Sequence, residues 1–224
     1  LEEMAQALFK SWFVDFEPFQ DGEFEDSELG PIPKGWRVGR LGDIVENIRE
    51  IIDPQKELET RPYVGLEHVP RKCLALSQWG TSDGLGSSKY KFLCGDILFG
   101  KLRPYFHKVS IAPVDGICST DILVLRPNHP KWFALAVCYV FSTGFIDHAD
   151  STSTGTRMPR ASWKDMSNYA IILPPDGIVE AFSETITAIL ENLRKVVHQN
   201  RRMSEIRDTL RPKLMSGEVR VPLN

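Results

Sequence analysis

Three short stretches of the chain interleave cations, aromatic rings and small hydroxyl donors. They are Lys89-Tyr90-Lys91, Lys101-Leu102-Arg103-Pro104-Tyr105, and Ser151-Thr152-Ser153-Thr154-Gly155-Thr156-Arg157. These are the groups that a nucleic-acid backbone selects. Lysine and arginine neutralise phosphates, hydroxyls and free backbone N–H groups donate to phosphate oxygens, and a guanidinium can read a guanine edge in the major groove. Composition alone is satisfied equally well by ordinary solvated loops.

No catalytic apparatus accompanies these loops. The sequence lacks the GxxxxGK[ST], HExxH and GxSxG patterns. Gly84-Leu85-Gly86-Ser87-Ser88-Lys89 offers half of a phosphate cradle with no strand pattern before it. Pro174-Pro175 is similar to the end of the tetrapeptide by which amino-methyltransferases hold a target amine, but Leu173 stands where that chemistry needs Asn, Asp or Ser. The five histidines, at positions 68, 107, 129, 148 and 198, share no ligand spacing with a Cys or acid cluster, and the four cysteines form no CxxC pair. No metal site is expected. A hydrolase using His107, Ser119 and Asp121 is a rival reading, although strand and turn structure explains those residues as well.

The elements that must position the loops follow from composition and periodicity. With 224 residues, 42% apolar and 25% charged, the chain can bury one full-sized domain with an appendage, or two small domains. Aromatic content of 10% argues against wholesale disorder, and the cysteine pattern suits a reducing cytoplasm, the expected location. The longest uncharged apolar run, Trp132 to Ile146, is shorter than the ~20 residues that cross a bilayer, so no span is expected. Leu1-Glu2-Glu3-Met4 has no signal-peptide pattern, and a first residue other than Met fits a fragment or a processed chain. The net charge of −3 hides an asymmetry: residues 1–30 hold nine acids and one base, which leaves the remainder net positive. Residues 191–214 alone carry seven Lys or Arg against three acids. That distribution permits a polyanion partner, and equally a solvated helix face.

The fold class expected is α+β, in three zones. Residues 1–16 place Leu1, Ala5, Leu8 and Trp12 at helical spacing, widened by Met4, Phe9, Phe13 and Phe16. An acidic linker follows, and Pro31, Pro33 and Gly35 precede a globular domain that begins near Trp36. Within that domain, strands are expected at Pro62–Val69, Ile97–Leu102, Tyr105–Ala112, Ile117–Leu125 and Asn168–Leu173. Helices are expected at Leu41–Ile48, at Lys131–His148, and after Ser162, where Ser162 and Asp165 form a capping box.

The third zone shows four-three spacing over more than four heptads. Phe182, Ile189, Val196, Met203 and Leu210 form one series, and Ile186, Leu193, Asn200, Arg207 and Leu214 the other. That is a coiled-coil seam, in which Asn200 and Arg207 would fix register or partner number. About 33 residues at ~1.5 Å each give a rod of roughly 50 Å before Pro212 and Gly217 end it.

Five blocks together resemble type I restriction-modification specificity subunits. They are LEEMAQALFKSWFVDFEPF, GPIPKGWRVGRLGDIV, GDILFGKLRPYFHKV, STGTRMPRASWKDMSNYAIILPP and RDTLRPKLMSGEVRV, and they cover nearly the whole chain. A full subunit of that family has two target-recognition domains separated by conserved helices that pair as an antiparallel coiled coil. The resemblance implies half of that plan: a conserved helix at 1–19, a linker at 20–35, one recognition domain at 36–176, the distal conserved helix at 178–215 and a tail at 216–224.

The resemblance further implies a chain without catalysis of its own that reads double-stranded DNA and docks methyltransferase subunits, which hold S-adenosylmethionine. A restriction translocase subunit could join. Lys72, Lys89, Lys91, Lys101, Arg103, Tyr105, Arg157 and Arg160 are the candidate DNA contacts, with Arg157 and Arg160 best placed because a Gly/Ser/Thr loop presents them. The candidate partner interface comprises Leu8, Trp12, Phe182, Ile186, Ile189, Leu193, Val196, Asn200, Met203, Arg207 and Leu210. Adjacent half-sites on one DNA face lie ~34 Å apart per turn, a distance that a ~50 Å rod spans. Two chains could pair their seams by two-fold symmetry, or the chain could be a fragment whose partner is a missing first half. An adaptor that oligomerises and binds protein, without reading DNA, is the alternative.

Overall fold

The structure, a computed structural model, describes residues 1–56, 59–216 and 218. Gly217 and the rest of the expected tail, 219–224, lie outside the described residues. Helix α1 (Glu2–Phe13) is followed by a small hairpin, β1 (Phe24–Glu25) and β2 (Ile32–Pro33), and then by β3 (Arg37–Arg40), β4 (Val45–Ile48) and β5 (Ile51–Ile52). Strands β6 (Pro62–Val64), β7 (Gly80–Thr81), β8 (Lys89–Phe92), β9 (Ile97–Gly100), β10 (Val109–Ile111), β11 (Gly116–Cys118) and β12 (Ile122–Pro127) form the body. Helices α2 (Phe133–Phe141), α3 (Thr143–Ser151) and α4 (Trp163–Met166), strand β13 (Ala170–Leu173) and helix α5 (Asp176–Met215) complete the chain. The mixed α+β class expected from the sequence is the class observed.

Two sheets make up the body, and one strand pair, β9 with β12, lies at its centre. One is antiparallel, in the order β10-β9-β12-β4; the other, β5-β8-β11-β6-β7, contains one parallel pairing, β11 with β6. Side chains alternate across a strand, so β9 and β12 serve two cores. Ile97, Phe99, Leu123 and Leu125 face a large core with α1, α2 and α5, while Leu98, Ile122 and Val124 face a smaller one with Val64, Phe92 and Cys118. Helix α2 is buried along nearly its whole length, and the Tyr139 hydroxyl donates to the Ile172 carbonyl while accepting from the Ile172 amide, both at 2.9 Å. No single described helix is long and apolar enough to cross a membrane.

Several local expectations change. Leu41–Ile48 is a single tight turn, Leu41–Asp43, followed by a strand, because Val45–Ile48 has a partner in β12 and β-branched residues suit that pairing. The expected helix over Lys131–His148 is two helices bent by 64° at Ser142, whose backbone is extended and whose Oγ accepts from the Phe145 amide. Residues 105–112 begin as a turn at Pro104–Phe106 and become strand only at Val109. The span 117–125 is two strands in different sheets, broken at Ser119.

Helix α5 runs for 40 residues, about 60 Å at ~1.5 Å per residue, and passes straight through Pro212. Its single heptad seam divides in two. The buried stripe is Val179, Phe182, Ile186, Leu190 and Val197, supported by Ile189 and Leu193. Val196, Met203 and Leu210 are exposed, as are Asn200 and Arg207, and Arg207 pairs with Asp208. The physical reason is drift: on a 3.6-residue helix a strict seven-residue repeat rotates by ~20° per heptad. The pattern therefore leaves the face packed on the body and reaches open solvent. Helices α1 and α5 run antiparallel. Phe13 meets Phe182 with ring centroids 4.7 Å apart, while Glu2 at the other end of α1 accepts from the amides of Leu74 and Ala75. Leu74 in turn lines a small cavity with Leu193 and Val197. The buried stripe of α1 is Ala5, Phe9 and Phe13; Leu8 and Trp12 are half-buried at its edge.

Candidate nucleic-acid interface

The connection from β9 to β10 carries the sequence Lys101 to Lys108, and proline sets its shape. Pro104 supplies a fixed φ to the Pro104–Phe106 turn, while Arg103 (φ 52°) and His107 (φ 50°) flank it in the left-handed region. Lys72 (φ 51°) adopts the same conformation opposite, and its amide donates to the His107 carbonyl at 2.8 Å. Non-glycine residues held there store about 1–3 kcal/mol each, and such strain concentrates at functional sites. The surroundings fix it: Pro104 is buried, and the His107 ring packs 4.7 Å from that of Phe141.

A second loop is latched onto this turn by main-chain bonds. Thr154 and Arg160 exchange amide–carbonyl bonds, Arg103 N donates to Pro159 O at 2.7 Å, and Ala161 N donates to Lys101 O at 2.9 Å. Gly155 (φ 106°) lets the loop reverse. The tip, with Arg157, is exposed.

Six of the eight expected contact residues meet on this surface. Lys72, Lys101 and Arg157 have side-chain charges without a hydrogen-bond or ion-pair partner among the described residues. Arg103 donates to the Arg157 carbonyl at 3.4 Å, and its buried Nε has no partner. Tyr105 is exposed and packs edge-on against Phe106 at 4.7 Å. Arg160 donates from Nε to Asp121 Oδ1 at 3.1 Å.

Lys89 and Lys91 lie on β8 in the other sheet, and the structure removes them as free cations. Lys89 is buried, its ammonium donating to Ser87 O and Oγ at 2.6 and 2.7 Å, and Lys91 is paired with Glu50 at 2.7 Å. Burial of a lysine demands such a partner, so the Lys89 ammonium is engaged inside the fold, while Lys91 sits in a part-exposed ion pair away from the other six.

Three residues absent from the sequence-based set belong here. The Arg71 guanidinium lies 3.9 Å above the Phe106 ring, and Lys108 donates to the Leu66 carbonyl. Together with Arg103 they rim a cleft of about 290 Å³ whose apolar floor is Leu66, Leu102, Phe106 and Met158. No acid lines it. Burial holds Lys108 below the usual lysine range, and the Arg71 charge adds to that while Glu67 opposes it. The signal was present, since Arg71 adjoins Lys72 and both Phe106 and Lys108 sit in the GDILFGKLRPYFHKV block; only side-chain direction was hidden.

The rival catalytic arrangement does not assemble. His107 stacks on Phe141, while Ser119 Oγ accepts from the Asp121 amide at 3.2 Å, and no contact joins His107 to Ser119 among the described residues. No group of three or more His, Cys, Asp or Glu that could hold a metal occurs among the described residues.

A second surface lies at the far end of α5. Up to Arg201 the helix is tied to the body: Arg194 donates to Cys94 Sγ at 3.3 Å, His198 contacts Pro113 O at 3.2 Å, and Arg201 stacks on Trp79 at 3.9 Å. Beyond it, Met203, Ile206, Leu210 and Leu214 form an exposed apolar stripe.

Comparison with known proteins gives a consistent result. The family model for the type I restriction modification DNA specificity domain matches residues 33–206. The type I restriction enzyme MjaIX specificity subunit of Methanocaldococcus jannaschii is 31% identical over 236 residues, covering 99% of this chain and 53% of that protein. The EcoDI specificity subunit of Escherichia coli is 28% identical, covering 68% of this chain and 34% of that protein. Among solved structures, the HsdS subunit from Thermoanaerobacter tengcongensis superposes with a TM-score of 0.57 at 23% identity, covering 80% of this chain and 48% of that one. The chain thus spans about half the length, or less, of these relatives.

Proposed function

Because the chain belongs to the family of type I restriction-modification specificity subunits, we propose that it reads one half-site of a bipartite DNA target and docks methyltransferase subunits. The observation that carries the reading is the latched surface around Pro104–Phe106. There, cations without acid partners stand on a strained and firmly held backbone, beside an apolar cleft. Phosphates are met by Lys72, Lys101 and Arg157, and base edges by the groups on the rigid turn.

In this reading the chain performs no chemistry. S-adenosylmethionine resides on the methyltransferase subunits, and a restriction translocase subunit joins the same assembly in the cytoplasm. Helix α5 sets the spacing. Its body-bound portion fixes the angle of the reading surface, and the open stripe from Met203 to Leu214 pairs with the same stripe of a second copy, giving an interrupted palindromic target. The roughly 60 Å helix is long enough for half-sites a turn of DNA apart.

The test is a mobility-shift titration of the full chain with its methyltransferase subunits on the duplex target found by mapping methylation in cells that carry the locus. Specific binding weakens steeply as salt rises and exceeds binding to unrelated duplex by roughly 10³-fold or more. The open stripe on α5 also suits an adaptor that only joins proteins. Sequence-independent, salt-insensitive behaviour would establish that reading instead.

A further inference from the structure

The cations of the reading surface differ in how rigidly they are held, and that difference separates positioning from reading. Lys72, Lys101 and Arg157 carry charge on flexible stems, which suits a phosphate, a target that accepts charge from many directions. Arg160 is tied to Asp121 and Lys108 to a carbonyl. Arg71 makes the closer of the two arginine contacts with the Phe106 ring, Arg103 lying 6.0 Å from its centroid, and keeps its donors unused. Its guanidinium is stacked 3.9 Å from the Phe106 centroid, and its N–H groups have no hydrogen-bond partner among the described residues. A cation held this close to a ring loses freedom without consuming its donors. The backbone that carries the ring is held, because Phe106 lies within the Pro104 turn, where its amide donates to Arg103 O at 2.9 Å. A pre-set, planar pair of donors matches the O6 and N7 acceptors of guanine, the commonest bidentate contact in the major groove.

We propose that Arg71, clamped on Phe106, is a specificity-determining residue that reads one guanine of the half-site. The inference rests on the DNA-reading function above. Lys108 and Arg103, the neighbouring cations, make the cleft rim positive and draw the duplex toward it.

The experiment sorts a randomised duplex library by binding to the full chain assembled with its methyltransferase subunits, comparing wild type with R71A, R71K, F106L and K72A. Thermal unfolding of each variant is recorded alongside. The wild type should enrich a motif containing a G·C pair that R71A relaxes by about 5- to 150-fold, with the other positions unchanged. R71K should not restore that position, because an ammonium cannot form the fork; F106L should weaken the same position, and K72A should lower affinity evenly. A motif unchanged in R71A, or eroded equally at every position, overturns the assignment while leaving DNA reading intact. If R71A binds too weakly to sort, R71K decides by the same criterion. A wild-type protein that enriches no motif overturns DNA reading, and this assignment with it.

Discussion

Arg126 grips the carboxylate of Asp96 with two parallel hydrogen bonds, Nε to Oδ1 and Nη2 to Oδ2, both at 2.7 Å, and Asp96 is only 3% exposed. The same carboxylate accepts from the Leu93 amide at 2.7 Å and so fixes the loop that presents Cys94 to Arg194 on α5. One ion pair therefore links the sheet, the loop and the long helix. Arg126→Ala would leave a buried carboxylate without its cation, and a loss of roughly 3 kcal/mol is expected, at the low end for buried pairs because Arg126 is a third exposed. Urea unfolding measures it. A change within 0.5 kcal/mol would mean that the pair does not organise this junction.

The two halves of α5 should respond oppositely to substitution. Phe182 is fully buried against Phe13 and Trp12, so Phe182→Ala should destabilise the chain by about 3–5 kcal/mol. Leu210 is exposed on the open stripe, so Leu210→Asp should alter stability by less than ~0.5 kcal/mol while abolishing the dimer in light scattering. Dimerisation that survives Leu210→Asp together with Ile206→Asp would remove the stripe from the interface.

Phosphate neutralisation has a salt signature. Lys72→Ala and Arg157→Ala should each lower the slope of log K against log salt by ~0.9, with little effect on which sequence is preferred. Lys89→Ala should leave the slope unchanged, since its ammonium is engaged with Ser87 inside the fold. A slope that falls for Lys89 and not for Lys72 would relocate the DNA path to the other sheet.

His107 makes stability depend on pH. Burial holds its pKa below the ordinary 6.5, the nearby Lys72 charge acts in the same direction, and a hydrogen bond to the Phe141 backbone opposes them. The unfolded chain therefore binds the proton more readily, and stability declines as pH falls below ~6.5. His107→Asn keeps a side chain that tolerates positive φ and carries no proton equilibrium. Its urea midpoint should change less than that of the wild type between pH 7.5 and 5.5, and equal slopes would show that His107 is not the group responsible.

Much of the organisation was legible because it rests on periodicity. The strands Ile97–Gly100 and Ala170–Leu173, the helix after Ser162 with its cap, and the long terminal helix follow from local pattern, and the Ser162 Oγ does accept from the Asp165 amide. What was misread depended on partners distant in sequence. Val45–Ile48 looks helical until β12 is beside it, and the Lys131–His148 pattern conceals the bend at Ser142. On α5 a seven-residue repeat cannot reveal where the body ends, and that boundary near Arg201 divides a packing face from an open one. Among the candidate contacts, loop composition identified the two loops that converge, and it could not reveal that Lys89 turns inward or that Arg71 stacks on Phe106.

The loop between Thr154 and Arg160 is secured chiefly through its main chain, at Thr154, Pro159, Arg160 and Ala161, with the Arg160–Asp121 pair at its end. Apart from Gly155, whose φ of 106° few other residues tolerate, and Met158 on the cleft floor, the tip side chains Thr156 and Arg157 have no hydrogen-bond or ion-pair partner among the described residues. Heritable variation at Thr156 and Arg157 can therefore accumulate without unfolding the protein. The tip behaves as an interchangeable grip on a fixed handle, so the strength with which a duplex is held can drift in a lineage by a few codon changes rather than by rebuilding the domain.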